Sequence, residues 1–83
     1  MHLQLFSTLG CHLCEQAQEL VLQYSLSYQT VTLEILDIFD QPEWQTHYGI
    51  RIPVLVEPKT QAELAWPFTL SELTTFIERI SHD

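Results

Sequence analysis

The chain has 83 residues, of which 3 are Lys or Arg and 11 are Asp or Glu, so its formal net charge at pH 7 is −8. Surface-to-volume scaling at this length allows one hydrophobic core, which predicts a single domain over residues 1–83. Hydrophobic residues make up 46% of the chain, which excludes a disordered protein, and the negative charge argues against nucleic acid or an anionic membrane surface as a partner.

The first half of the chain predicts a strand, a helix and a second strand. Leu3 to Phe6 is a short apolar run, and Gly10 lets the backbone turn before the helix. Thr30 to Leu36 is rich in β-branched residues and predicts the second strand. A strand–helix–strand unit favours parallel pairing with a right-handed crossover. The helix is expected to bury one apolar face, formed by Leu13, Ala17, Leu20, Val21 and Tyr24.

A short helix is predicted next. Asp40 and Glu43 have the spacing of a capping box at its start, and Gly49 directly after Tyr48 is typical of a helix end. His47 on this helix is either a ligand or base, or an exposed and solvated side chain, and we favour the exposed side chain.

The last third of the chain predicts a hairpin and a final helix. An apolar strand over residues 50–56, a turn over residues 58–61 and a strand over residues 62–66 predict antiparallel pairing. Thr69 and Glu72 have capping-box spacing at the start of an amphipathic helix. We expect no exposed apolar stripe to remain, which predicts a monomer. The buried stripe of the last helix is expected to be Leu70, Leu73, Phe76, Ile77 and Ile80.

Cys11 and Cys14 lie at the predicted start of the first helix. A thiol there meets free backbone N–H groups and the positive end of the helix dipole, which favour the reactive thiolate. Two intervening residues let one helical turn bring the sulfurs together, so a disulfide can close and reopen. Because no export signal or membrane-spanning run is apparent, this pair predicts a transient disulfide in a reducing compartment, the cytoplasm.

The order β-α-β-(α)-β-β-α, with Cys-x-x-Cys opening the first helix and Ile52-Pro53 opening the third strand, resembles the thioredoxin fold. The run from Leu5 to Cys14 and the chain length resemble the small bacterial glutaredoxin-like proteins. The closest likeness is to the subgroup that reads Cys-His-Leu-Cys and has Trp-Pro-Phe before the last helix, here residues 66–68. The resemblance covers nearly the whole chain and implies an α/β fold, with a four-stranded mixed sheet and helices on both faces.

By position, the resemblance implies a thiol–disulfide oxidoreductase. Cys11 would be the nucleophile and Cys14 the resolving thiol that releases the product. Pro53 would be the family's cis proline, and the backbone of Ile52 would line the groove beside the sulfurs and pair with an extended substrate. His12, when protonated, would favour the Cys11 thiolate, the alternative being that it points into solvent.

The chain departs from typical glutathione-using glutaredoxins before the last helix. Their Gly-Gly bend is replaced by Trp-Pro, and Phe68 and Thr69 fill the substrate-binding positions that follow. Glu72 is expected to occupy free N–H groups there, which weakens the case for a tight glutathione site. Arg51 is the basic side chain expected near the sulfurs, either to bind a substrate carboxylate or as a surface residue. No bound cofactor is expected, and glutathione and a reductase both stay open as electron donors.

Two other functions stay open, namely metal or iron–sulfur binding through the cysteine pair and a non-enzymatic interaction module. A closed zinc site needs four ligands, and the chain has no second cysteine pair, so we expect no metal site. The predicted partner is a disulfide-containing protein or a glutathione mixed disulfide. The charge of −8 disfavours anionic substrates at long range, although screening over roughly 8 Å makes local geometry matter more. The histidines are scattered at His2, His12, His47 and His82.

Overall fold

The computed structural model describes residues 1–81 and consists of a four-stranded sheet with helices on both faces. Its element order confirms the predicted β-α-β-(α)-β-β-α arrangement. Short 3₁₀ turns lie at Ile38–Asp40 and Gly49–Arg51. The strands are β1 (His2–Ser7), β2 (Thr32–Asp37), β3 (Val54–Glu57) and β4 (Ala62–Ala65), and the helices are α1 (His12–Ser27), α2 (Pro42–Tyr48) and α3 (Leu70–Ser81).

The sheet is mixed and has the strand order β2-β1-β3-β4. β1 and β2 pair in parallel, as predicted, with Ser7 opposite Asp37. β3 runs antiparallel to both β1 and β4, and Phe6 pairs with Val54. Because of this register, the loop after β1, the end of β2 and the residue before β3 all lie at one end of the sheet.

The two faces of the sheet carry separate apolar clusters, because successive side chains of a strand point to opposite faces. Leu3, Leu5 and Leu55 pack with residues of α1 and α3 on one face. Phe6 packs on the other face with α2, where its ring stacks on Tyr48 with 4.0 Å between the ring centroids. Full burial of an aliphatic or aromatic side chain contributes about 1.5–3 kcal/mol. The two clusters therefore hold the helices against both faces of the sheet. This packing also fixes the positions of the helices relative to the end of the sheet.

The predicted capping box at Asp40 is wrong. The N-cap of α2 is Gln41, which makes no side-chain capping bond, while Asp40 belongs to the preceding 3₁₀ turn. That turn is capped by Asp37, which accepts a 2.9 Å hydrogen bond from the backbone N–H of Phe39. Pro42 then opens the helix with a preset φ and no N–H to satisfy.

The third strand is shorter than predicted. It begins at Val54, because the chain from Gly49 to Arg51 forms a 3₁₀ turn that holds the preceding residues out of the sheet. The hairpin between β3 and β4 is antiparallel, as predicted.

Apolar surface remains on the molecule, so the expectation that none is left over is wrong. Leu22 is 60% exposed and Leu26 is 80% exposed on the outer side of α1, and Ile35 of β2 is 45% exposed. Leu13, expected in the core, is also 45% exposed. β2 is an outer strand, and no element among residues 1–81 covers the side of α1 beside it.

Candidate active site

The chain turns sharply between β1 and α1 to place Cys11 at the helix start. Gly10 has a φ of +74°, a conformation that glycine adopts without the steric cost of a side chain. Cys11 follows in an extended conformation as the N-cap of α1. Its Sγ accepts a 3.2 Å hydrogen bond from the backbone N–H of Cys14. The sulfur therefore satisfies one of the free N–H groups of the first turn.

The two cysteines are joined by a disulfide, and their Cα atoms lie 5.2 Å apart. Cys14 is 2% exposed, whereas Cys11 is partly exposed at the surface. An incoming thiol or disulfide therefore meets Cys11, while Cys14 is shielded by the core beneath the helix.

The Ile52–Pro53 peptide bond is cis, as the resemblance implied. Pro53 directly precedes Val54, which pairs with Phe6, so it lies at the end of the sheet from which the cysteine loop leaves. Its carbonyl accepts a 3.0 Å hydrogen bond from the backbone N–H of Trp66. A second cis bond, Trp66–Pro67, was not predicted.

His12 projects away from the protein, with its side chain 80% exposed. Its Nδ1 lies 3.6 Å from a carboxylate oxygen of Glu15, one turn along α1. The role of His12 at the Cys11 sulfur stays a prediction.

Arg51 is held in a polar cluster between α2 and β4. Its Nη1 donates to Glu63 over 3.1 Å, its Nη2 donates to the carbonyl of His47 over 3.0 Å, and its guanidinium carbon lies 5.6 Å from the ring centroid of Tyr48. Partial burial acts to raise the pKa of Glu63, but the hydrogen bonds from Arg51 and His47 outweigh it and lower that pKa. Burial and then the Glu63 charge raise the pKa of Tyr48. Substrate binding by Arg51 stays a prediction, and its guanidinium already has partners.

Phe68 and Thr69, the two predicted substrate-binding residues before the last helix, both have partners within the protein. Phe68 is 4% exposed and packs in the core, edge-on to Trp66 with ring centroids 5.1 Å apart, and its contact with a substrate stays a prediction. Thr69 is engaged with Glu72 in the predicted capping box. The Thr69 N–H donates to Glu72 over 2.9 Å, and the Glu72 N–H donates to the Thr69 hydroxyl over 3.1 Å.

Sequence reasoning missed the residues that face Cys11 across the end of the sheet. A cavity of 320 Å³ beside the disulfide is lined by Asp37 at the end of β2, by Asp40 in the 3₁₀ turn that follows, and by Glu15 from α1. A signal for them was present, because β1 and β2 are parallel and the carboxyl ends of parallel strands meet at one edge. The local sequence pattern at Asp40 instead predicts a helix cap.

Within residues 1–81, no three His, Cys, Asp or Glu side chains converge closely enough to hold a metal ion. His2 pairs with Glu34 over 3.1 Å and His47 with Glu63 over 3.2 Å, so these histidines lie in separate surface pairs. His82 lies outside the described residues. None of the three helices over the same range is both long and apolar enough to cross a bilayer.

Solved structures similar to this chain share its fold over nearly the full length. The X-ray structure of protein XcR50 from X. campestris has a TM-score of 0.80 and 32% identity, covering 93% of this chain and 96% of that chain. The solution structure of XcR50 has a TM-score of 0.78 and 33% identity, covering 95% of each chain. Thioredoxin 1 from Thermosipho africanus, at 19% identity and a TM-score of 0.67 with full coverage of both chains, shows the thioredoxin fold alone.

No functionally curated protein matches the chain. The model of the family described as glutaredoxin-like domain (DUF836) matches residues 2–78, a range that contains the cysteine pair, the cis proline and the three helices up to the last turn. The chain therefore belongs to the glutaredoxin-like domain family.

Proposed function

We propose that this protein is a thiol–disulfide oxidoreductase with Cys11 as nucleophile and Cys14 as resolving thiol. The Cys11 thiolate attacks one sulfur of a substrate disulfide, forms a mixed disulfide and releases the other sulfur as a thiol. The Cys14 thiolate then attacks the Cys11 Sγ, so the Cys11–Cys14 bond forms and the second substrate thiol leaves. Two electrons pass from the protein to the substrate, and the protons of the two cysteines end on the released thiols.

The observation that carries this proposal is the disulfide in the first turn of α1, with one sulfur partly exposed and the other buried. In the reduced protein, the Cys14 N–H that now bonds the Cys11 Sγ and the positive end of the helix both favour negative charge on that sulfur. Because Cys14 is buried, the electrophile nearest to its thiolate in the mixed disulfide is the Cys11 Sγ. This difference in exposure supports the division of roles.

The substrate side of the proposal rests on the backbone beside the cis proline. Ile52 is partly buried and Pro53 fully buried at the end of the sheet that carries the cysteine loop. The Ile52 backbone, which precedes the first residue of β3, is our candidate for pairing with an extended substrate. His12 is our candidate for adding positive charge near Cys11, although its exposure leaves it well solvated.

A thiol compound must return the two electrons, and the candidates are glutathione and a protein reductase. At the start of the last helix, where glutathione-using relatives offer free N–H groups, the Thr69 N–H is engaged here by the Glu72 carboxylate and the Glu72 N–H by the Thr69 hydroxyl. This speaks against tight glutathione binding, while a glutathione mixed disulfide or a disulfide-containing protein both suit the chemistry at Cys11. Reversible use of the pair fits a reducing compartment such as the cytoplasm.

The test is turnover of insulin and of hydroxyethyl disulfide with electrons supplied either by thioredoxin reductase or by glutathione, followed as NADPH consumption. We expect turnover with at least one donor, and Cys11→Ser to abolish it because no other thiol is exposed at the site. Absence of turnover with both donors would contradict the proposal. Stoichiometric zinc or a visible iron–sulfur absorption band in the purified protein would favour metal binding instead.

A further inference from the structure

An uncovered apolar groove lies between α1 and the outer strand β2. It has a volume of 520 Å³, and Val21, Leu22, Val31, Leu33 and Ile35 form its apolar floor. Leu22 of α1 and Ile35 of β2 are 60% and 45% exposed, so the groove presents large apolar side chains to solvent. Apolar side chains grouped in this way are typical of a surface that is covered by a partner.

The groove is continuous with the cavity beside the disulfide. Glu15, Gln18 and Ile35 line both, and the second cavity also includes Cys11 and Cys14. A chain that enters at Cys11 can therefore continue along β2. From Val31 through the end of β2 at Asp37 the chain extends for about 20 Å, the length of about six extended residues. The three-residue glutathione molecule is too short to fill this path.

The rim of the groove is acidic. Glu15 and Glu19 border it on α1, and Asp37 and Asp40 border the disulfide end, while no Lys or Arg lines either cavity. The basic residue expected near the sulfurs, Arg51, is bound to Glu63 and does not neutralise this rim. The rim therefore attracts cations and repels glutathione, which is an anion at neutral pH.

We propose that this groove binds an extended, cationic and partly apolar polypeptide segment that flanks the disulfide of the substrate protein. The inference rests on the proposed function and names its substrate class. An outer strand offers backbone N–H and C=O groups to an added strand, so an extended segment can pair with β2 while alternate apolar side chains enter the groove. Basic side chains on the same face of the segment meet the carboxylates of the rim. A second copy of this chain is the poorer occupant, because its net charge of −8 would bring two acidic rims together.

The test uses six-residue peptides, each with one cysteine in a mixed disulfide with 2-thiopyridine. The three peptides share their apolar residues and carry Lys, Gln or Glu at the remaining positions. The reduced protein attacks the peptide sulfur and releases pyridine-2-thione, whose absorbance gives the rate, and Cys14 then frees the peptide thiol. At low salt we expect the Lys peptide to react about tenfold faster than the Glu peptide, with the Gln peptide between them, and this spread to shrink in about 1 M salt.

Matched variants locate the effect. Leu22→Ser in the groove is paired with Leu26→Ser, which lies on the same helix, is more exposed and does not line the groove. Glu19→Gln on the rim is paired with Glu43→Gln on α2, across the sheet. We expect each groove variant to lower the rate of the Lys peptide about two- to fivefold relative to the rate of hydroxyethyl pyridyl disulfide, and each control to leave this ratio unchanged.

The outcomes separate this inference from the function on which it rests. Equal rates for the three peptides, or equal ratios for groove and control variants, overturn the substrate class while hydroxyethyl pyridyl disulfide still reacts. A dimer of the wild-type protein that Leu22→Ser converts to monomer, seen by sedimentation, overturns it in favour of a second copy. Failure of the small neutral disulfide to react overturns the oxidoreductase function itself.

Discussion

The first turns of α1 and α3 share one capping pattern but have different roles. In each, the N-cap side chain accepts a hydrogen bond from the backbone N–H three residues later. At α1 the Cys11 Sγ accepts from the Cys14 N–H over 3.2 Å, and at α3 the Thr69 Oγ1 accepts from the Glu72 N–H over 3.1 Å. In each, the side chain of that later residue also reaches back to the cap. At α3 the return contact is a hydrogen bond from the Thr69 N–H, and at α1 it is the disulfide.

The difference shows what turns a helix cap into a reactive group. At α3 the free N–H groups are engaged by a hydroxyl and a carboxylate that hold them permanently, so the turn contributes stability. At α1 the return contact is a covalent bond that two electrons can open, which leaves the N–H groups facing a sulfur that can carry charge. A helix end of this kind can therefore change its oxidation state only where the capping side chains are the two sulfurs.

The largest effect is expected from Cys14→Ser, which removes the return contact of α1. The Cys11 thiolate still attacks the substrate, but no intramolecular thiol releases the second product, so the mixed disulfide accumulates and dithiol turnover stops. Mass spectrometry of the quenched reaction measures the trapped species, and Cys11→Ser, which forms none, is the control. Release from Cys14→Ser at the wild-type rate would remove Cys14 from the mechanism.

The largest effect on the free energy of unfolding is expected at a third set of backbone N–H groups that are bound by a side chain. This set lies at the end of the sheet opposite to the cysteine pair. Glu57 as a whole residue is 8% exposed, and its carboxylate accepts hydrogen bonds from the Lys59 N–H and from the N–H and hydroxyl of Thr60, at 2.8 to 2.9 Å. The Lys59 N–H contributes most to lowering the Glu57 pKa, and it outweighs the opposing effect of burial. Glu57→Gln is expected to lower the free energy of unfolding by about 1.5–3 kcal/mol at pH 7, because charged hydrogen bonds are lost.

The pH dependence tests the cause of that loss. Because the folded pKa of Glu57 lies below the unfolded value, its stabilisation is complete above the unfolded pKa and is lost as the pH falls through the folded pKa. Urea unfolding from pH 7 down to pH 3 should therefore show the wild type approaching Glu57→Gln in stability. The exposed Glu43→Gln is the control. A gap that stays constant over this range would exclude charge as its origin.

A smaller effect is expected from Glu72→Ala, which opens the box at α3. Loss of this cap should cost about 1 kcal/mol and lower the Tm by about 4–8 °C, as for other helix caps in domains of this size. The rate of alkylation of reduced Cys11 should not change, because Glu72 acts on another helix. Calorimetry and iodoacetamide kinetics measure the two quantities, and a large fall in alkylation rate would mean that the two helix ends are coupled.

These comparisons also show which features the sequence could predict. The pairs Cys11/Cys14 and Thr69/Glu72 were predicted because each depends on spacing within a single turn. The Asp40 cap was wrong because Asp37 holds a competing 3₁₀ turn, and a local pattern does not decide between two overlapping turns. The exposure of Ile35 depends on β2 being an outer strand, and so on the order of all four strands, which no short pattern reports.

The smallest net effect on stability is expected from the double variant Thr69→Cys with Glu72→Cys. This variant is also the strictest test of whether the two first turns share one geometry. If the two first turns have the same backbone geometry, this variant forms a second disulfide on mild oxidation, since spacing and direction match those of Cys11 and Cys14. Closing so short a loop is worth about 2 kcal/mol in the chain-entropy description, and the lost capping box costs about 1–2 kcal/mol, so the oxidised variant should unfold near the wild-type temperature. Mass spectrometry after thiol labelling counts the bridges. Thr69 and Glu72 are both exposed, so both new sulfurs are open to solvent. Because neither sulfur is buried as Cys14 is, we expect external thiols to attack either one, without a division into nucleophile and resolving thiol.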